Sequence, residues 1–258
     1  MNTRIKSEEG IALLRESGKR LARVMKTLGK AVNPDVSLDT LDALTEEEIR
    51  KGGDTPALLG YMPWGAKRPF PASICISVNE EVVHGIPNEN PHVLKEGDLI
   101  SFDCCLDHKG MIADMAFTIG VGAIDEDAKR LLRATREALE AGIAAARGGN
   151  HIGDIGVAID TVAHSYGYGN VYELGGHGVG YKVHEEPYIP NYGTPGTGAE
   201  LIPGMVLAIE PMFTEGTDGR VKLMKDGYTY VARDGSRSAH FEHTIVITEG
   251  APEILTKL

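Results

Sequence analysis

Apolar residues at the start of the chain fall at helical spacing. Ile11, Leu14, Leu21, Met25 and Leu28 recur at intervals of three, four or seven, which lines one face of a helix over 7–31. Ser7 stands where an N-cap belongs, with Glu8 and Glu9 in the first turn, where carboxylates complement free backbone N–H groups. A second helix is predicted after Ser37, through Leu38, Leu41 and Leu44, to a stop at Gly52–Gly53. Beyond a Pro- and Gly-rich passage the segments ICISVN, EVVHGI, LISFDCCLD and MIADMAFTIGVG read as strands. The order then repeats. A helix over 125–147 carries Leu132, Leu139, Ile143 and Ala146 on one stripe, and one over 152–166 carries Ile152, Ile155, Ile159, Val162 and Tyr166. Strand-like runs follow around 171–174, 181–184, 205–210, 220–232 and 240–248. Two helices and then a group of strands, twice over, predict an α+β fold. Its two similar halves, about 7–121 and 125–248, share a mostly antiparallel sheet with helices on one face. No linker separates the halves between 119 and 125, so a single domain over 1–258 is expected.

Charge narrows the partners. The 37 acidic against 26 basic residues leave a net charge of -11, which argues against general affinity for nucleic acid phosphates or anionic membranes. No apolar run reaches membrane-spanning length, and MNTRIKSEEG enters charged, helix-like sequence without a signal-type apolar core, so a cytoplasmic protein is expected. Cys75, Cys104 and Cys105 are odd in number and lie in strand-like segments; they read as reduced thiols rather than a disulfide framework.

Several charged residues sit where strands disfavour them. In LISFDCCLDHKGMIADMAFT two strands are joined by the turn DHKG. If Asp107 pairs with Gly110, Asp103 pairs with Asp114; a glycine bulge at Gly110 leaves the two diagonal. Either register sets two carboxylates side by side, which is destabilising unless a cation lies between them. In GGHGVGYKVHEEP the glycines bring His177 to an exposed turn, and His184 follows a β-type stretch. No GK[ST] follows, so this is not a phosphate loop. Glu210 ends the apolar run MVLAI, where an unpaired buried carboxylate is costly. In SAHFEHTIVIT alternation puts His240, Glu242, Thr244 and Val246 on one face. Taken singly, each of these residues reads as well as a solvated or salt-bridged group. Taken together, two Asp, one His and two Glu suit a pair of Co, Mn, Fe or Zn ions, which activate a shared water for hydrolysis.

The motifs VVHGIP, SFDCCLD, IADMAFT, GGHGVG, VHEEP, AIEP and FEHTIVIT, in that order over most of the chain, resemble those of the type I methionine aminopeptidases of the M24 metallopeptidase family. The resemblance implies the pita-bread fold, with a dinuclear metal site in a cleft over the sheet. By position it implies Asp103, Asp114, His177, Glu210 and Glu242 as ligands, with Asp114 and Glu242 bridging two divalent ions. His84 would contact substrate near the scissile amide, and His184 would donate to its carbonyl oxygen. Glu210 would double as acid and base around a metal-bridging water. Cys75 matches the floor of the methionine pocket, with Tyr61 and Tyr228 as further lining. The implied activity is removal of the initiator methionine from nascent polypeptides, met at the ribosome, with a small second residue preferred. The enzyme would be monomeric, with no membrane or specific nucleic acid partner. Departures cluster around the pocket. The segment MPWGAKRPFP is longer than in the family, Val183 stands where Phe is common, Tyr228 where Trp is common, and His240 where Gln is often found.

Overall fold

The structure, a computed structural model, describes residues 5–89 and 92–257. Residues 1–4, the start of the segment read as lacking signal character, lie outside the described residues, as do the extreme ends of the expected 1–258 domain.

In chain order the elements are α1 (Glu8–Ala31), α2 (Leu38–Lys51), β1 (Thr55–Pro56), β2 (Cys75–Val78), β3 (Glu81–Val83), β4 (Leu99–His108) and β5 (Met111–Gly120). Then come α3 (Glu126–Ala145), α4 (Ile152–Tyr166), β6 (Gly169–Asn170), β7 (Gly175–Gly178), β8 (Glu185–Pro190) and β9 (Val206–Ile209). The last are β10 (Met212–Thr214), β11 (Val221–Leu223), β12 (Tyr230–Ala232), β13 (Ser238–His240), β14 (Glu242–Val246) and β15 (Glu253–Ile254). All four predicted helices form. Ser7 Oγ accepts from Gly10 N at 3.1 Å, Asp125 caps α3 through Ala128 N at 2.7 Å, and Gly167 ends α4 at φ 74°, the left-handed conformation that glycine adopts without penalty.

The main sheet has nine strands, in the order β1-β4-β5-β14-β9-β7-β8 with β2 on β4 and β15 on β14, and two three-stranded sheets, β13-β10-β6 and β11-β12-β3, flank it. Period-two alternation sorts the two faces of the main sheet. Ile100, Phe102, Cys104 and Leu106 of β4, with Ala113 of β5, pack under α1 and α2 beside Leu21, Met25 and Leu41. Leu207, Ile209 and Ile245 pack under α3 and α4 beside Leu139, Ile155 and Ile159. The other parity, Cys105, Val206, Ala208 and Val246, joins a separate cluster with Cys75, Phe70 and Tyr228. Helices therefore cover one face, and the opposite face is left for the site.

Four local expectations need correction. The β4–β5 turn holds only Lys109 and Gly110, at φ 55° and 82°, so His108 faces Met111. Positive φ at both central residues is the tight hairpin turn whose twist matches the strands, and no bulge is required. Residues 171–174 and 181–184 are irregular, and the strands there are β7 and β8. His177 lies in β7, buried to 9 % exposure, and not on an exposed turn. The surrounding glycines serve close packing, because a Cβ on Gly176 would collide with the Ala208 carbonyl oxygen and one on Gly178 with that of Glu186. Finally, the strand expected over 240–248 breaks at Phe241, so His240 belongs to β13 and Glu242 to β14.

Candidate functional site

Sheet register places the chemistry in two adjacent rows. In one row Asp103 faces Ala116 across β4 and β5, Ala116 faces Glu242 across β5 and β14, and Glu210 follows directly on β9. In the other, Cys105 faces Asp114. Asp114 meets Thr244, whose hydroxyl accepts from Asp114 N at 2.9 Å and donates to Asp114 O at 2.7 Å. Thr244 faces Ala208, and Ala208 faces His177. Asp103 and Asp114 are thus diagonal neighbours, and alanines at 116 and 208 leave room over the sheet between the larger groups.

Distances confirm that the rows converge. His177 Nε2 lies 3.4 Å from Glu210 Oε1 and 3.8 Å from Asp114 Oδ2. Candidate donor atoms of Asp114, His177 and Glu242 fall within 4.8 Å of one another, as do those of Asp103, Cys105 and Asp114. Burial raises the carboxyl of Asp114 to about 6. Burial, reinforced by neighbouring carboxylates, holds Asp103, Glu210 and Glu242 well above the usual carboxylate range. Asp114 Oδ1 and Glu242 Oε1 are buried without a hydrogen-bond partner, which is costly for a carboxylate.

The tautomer of His177 decides what belongs there. Its Nδ1 lies 2.9 Å from the Gly178 carbonyl oxygen; a carbonyl only accepts, so Nδ1 carries the proton. Burial, before the nearby His184, lowers its pKa to about 3, so the ring is neutral and the Nε2 lone pair points at Asp114 and Glu210. A lone pair facing carboxylates repels unless a cation sits between them. Oxygen-rich donors with one imidazole fit a divalent cation.

Above these residues opens a cleft of ≈ 690 Å³ whose walls include Tyr61, Phe70, Cys75, His84, His184 and Tyr228. Cys75 faces Asp103 across β2 and β4, and burial raises its pKa, keeping the thiol neutral. His84 turns into the cleft at φ 59°, and burial lowers its pKa to about 4. His184 stands against His177, with ring centroids 4.5 Å apart, and its Nδ1 meets the Tyr61 hydroxyl at 2.7 Å. All ten candidate ligand, catalytic and pocket residues line this cleft, whereas His240 is buried outside its lining. The sequence passes over three others, Cys105 and Phe70 in the cleft and Thr244 buried beside Asp114. Cys105 is two residues from Asp103 on the same face of β4, so alternation would have found it. Thr244 shows in the sequence only as a face position, and Phe70 is hidden in the long 61–73 segment.

Residues 12–249 match the family model described as metallopeptidase family M24. The chain belongs to metallopeptidase family M24. Membership implies divalent cations, and the donor set described above fits them. The methionine aminopeptidase of Clostridium acetobutylicum is 44% identical over 252 residues, covering 98% of both chains. A solved methionine aminopeptidase from Thermotoga maritima superposes with a TM-score of 0.93 at 44% identity, covering 99% of each chain. Within the family the chain groups with the methionine aminopeptidases, and its fold is the pita-bread fold. A prolidase from Pyrococcus furiosus shares that fold with a TM-score of 0.76 at 22% identity, with 66% of its length covered. Among the described residues no helix is long and apolar enough to cross a membrane.

Proposed function

We propose that this chain removes the N-terminal methionine from nascent polypeptides in the cytoplasm, as a monomer meeting its substrates near the ribosome, with two divalent ions (Co, Mn, Fe or Zn). The observation that carries the reading is the neutral His177, whose Nε2 lone pair faces Glu210 at 3.4 Å on the floor of an open cleft. Asp103, Asp114, His177, Glu210 and Glu242 would hold the ions. When bound, such ions supply an activated water and polarise the scissile carbonyl.

The rest falls to the chain's own side chains. Glu210 takes the proton of the attacking water and passes it to the leaving amine. The Tyr61 hydroxyl and His184 Nδ1 are hydrogen-bonded at 2.7 Å; with the hydroxyl donating, His184 Nε2 carries the ring proton and serves as a donor to the substrate carbonyl oxygen, where charge develops. His84 contacts the scissile amide from the opposite wall. Cys75, Tyr61 and Tyr228 enclose the methionine side chain, and the space between His84 and His184 favours a small second residue. Both halves, 7–121 and 125–248, act as one catalytic unit, since each supplies part of the donor set.

Anaerobic purification with metal quantification, followed by methionine release from Met-Ala-Ser across metals, tests the proposal. Divalent metal and release are expected. Cleavage of Xaa-Pro peptides with Met-Ala-Ser untouched would overturn the substrate assignment, and equal turnover of Met-Lys and Met-Ala peptides would overturn the second-residue preference.

A further inference from the structure

The segment between Tyr61 and Phe70 is longer than the family resemblance predicts, and its residues bridge two walls of the cleft. Its base is closed by Phe70 N donating to Tyr61 O at 2.8 Å and Gly60 N donating to Phe70 O at 2.9 Å. Both base residues line the cleft. Tyr61 holds His184 through its hydroxyl, and Phe70 meets Tyr228 edge-on, with centroids 5.1 Å apart. The outer side carries little packing, since Met62 is 54% and Trp64 103% exposed. A loop with so few apolar contacts opens easily, so the remaining contacts decide its position.

Those contacts converge on Arg68. Its guanidinium pairs with both carboxylate oxygens of Glu89, one of them at 2.6 Å. It also donates to Asp226 O at 3.2 Å and lies over the Tyr228 ring, 5.9 Å from the centroid. The Tyr228 hydroxyl in turn donates to the backbone carbonyl of Arg68. A half-exposed ion pair alone is worth at most about 1 kcal/mol. Here one side chain gathers three loops, 61–70, 86–89 and 224–228, and its own carbonyl is gripped by a residue of the cleft wall. The tyrosine at 228 supplies the hydroxyl that makes this grip.

Resting on the methionine-release reading, we propose that Arg68 and Tyr228 form a brace that fixes the width of the first-residue pocket, making Arg68 a specificity-determining positioning residue outside the cleft. Arg68 touches no reacting atom. It acts by holding Phe70 and Tyr228 on one side and, through the loop base, Tyr61 and His184 on the other. Discrimination between Met and a branched side chain of similar size depends on such a fixed wall.

The test compares kcat/KM for Met-Ala-Ser and Leu-Ala-Ser in the metal-loaded wild type and in Arg68→Ala and Tyr228→Phe. The phenylalanine variant removes a single oxygen and so guards against misfolding, which thermal unfolding monitors. Both variants are expected to lower the Met-to-Leu ratio by about tenfold, chiefly by raising KM for Met-Ala-Ser, and the double variant is expected to add little because both changes release one brace. Unchanged ratios with methionine release intact would overturn the brace, as would a fall in kcat alone with KM and the ratio preserved. Absence of methionine release in the metal-loaded wild type would instead overturn the reading on which the brace rests.

Discussion

Replacing Asp114 with Asn removes one of four carboxylates, Asp103, Asp114, Glu210 and Glu242, that share the floor of the cleft. In the metal-stripped protein this substitution is expected to stabilise the fold, with a definite pH dependence. Below the ordinary value of 3.8 the Asp114 carboxyl is protonated in both the folded and the unfolded chain, so the substitution changes little there. As pH rises the unfolded chain ionises freely, while the folded one must ionise a buried group whose pKa burial has raised to about 6. A folded-state pKa raised above the unfolded one is stability lost on going up through it. The shift of about two units corresponds to about 3 kcal/mol. The Asn variant should therefore gain about 3 kcal/mol on the wild type between about pH 4 and about pH 7, roughly 1–2 M in urea midpoint. The assay is urea unfolding of both chains in chelator at stepped pH. His84, His177, His240 and His243 are held low by burial, at about 4, 3, 3 and 4, and cost stability as pH falls; the wild-type-minus-variant difference cancels them. A difference that stays flat with pH, or wild type gaining as pH rises, would refute the reasoning. With divalent cations present the order should invert, because only the wild type gains binding free energy.

Chelation should abolish methionine release and added Mn, Co or Fe should restore it; Glu242→Ala should show neither metal uptake by equilibrium dialysis nor activity, whereas His184→Ala should keep its metal and lose turnover. Tyr61→Phe removes the hydroxyl bonded to His184 Nδ1 and should lower kcat about tenfold, with metal content unchanged; an unaltered kcat would detach Tyr61 from catalysis. The Lys6–Glu185 pair at 2.6 Å is almost fully buried, and Glu185 also accepts from the backbone of Tyr181 and Lys182, next to His184. Lys6→Met should cost about 3 kcal/mol, roughly 6–12 °C in thermal midpoint, and a shift under a couple of degrees would show that the pair contributes little.

Local pattern determined the helices and the central hairpin. Ser7, Asp125 and the stripes from Leu14 to Leu28 and from Ile152 to Ile159 carry helix information within a few residues, because caps and periodicity act over a turn or two. The parity of Asp103 and Asp114 on β4 and β5 likewise shows in the strands themselves, and it survived a wrong turn, since a shift of register by two leaves every side chain on its face. By contrast, the glycines of β7 look like turn residues in the sequence; only the approach of the Ala208 and Glu186 carbonyls shows why they are extended. The meeting of His177, Glu210 and Glu242 with the aspartate pair was legible only through family resemblance, because it depends on the β5–β14 and β9–β7 registers. The first joins residues more than a hundred positions apart and the second joins strands separated by about thirty, and no local signal encodes such pairing. The brace of Arg68 on Tyr228 and the Nε2 lone pair of His177 are likewise decided by tertiary structure alone. A side chain's partners, and through them its tautomer and charge, exist only once distant segments have packed together.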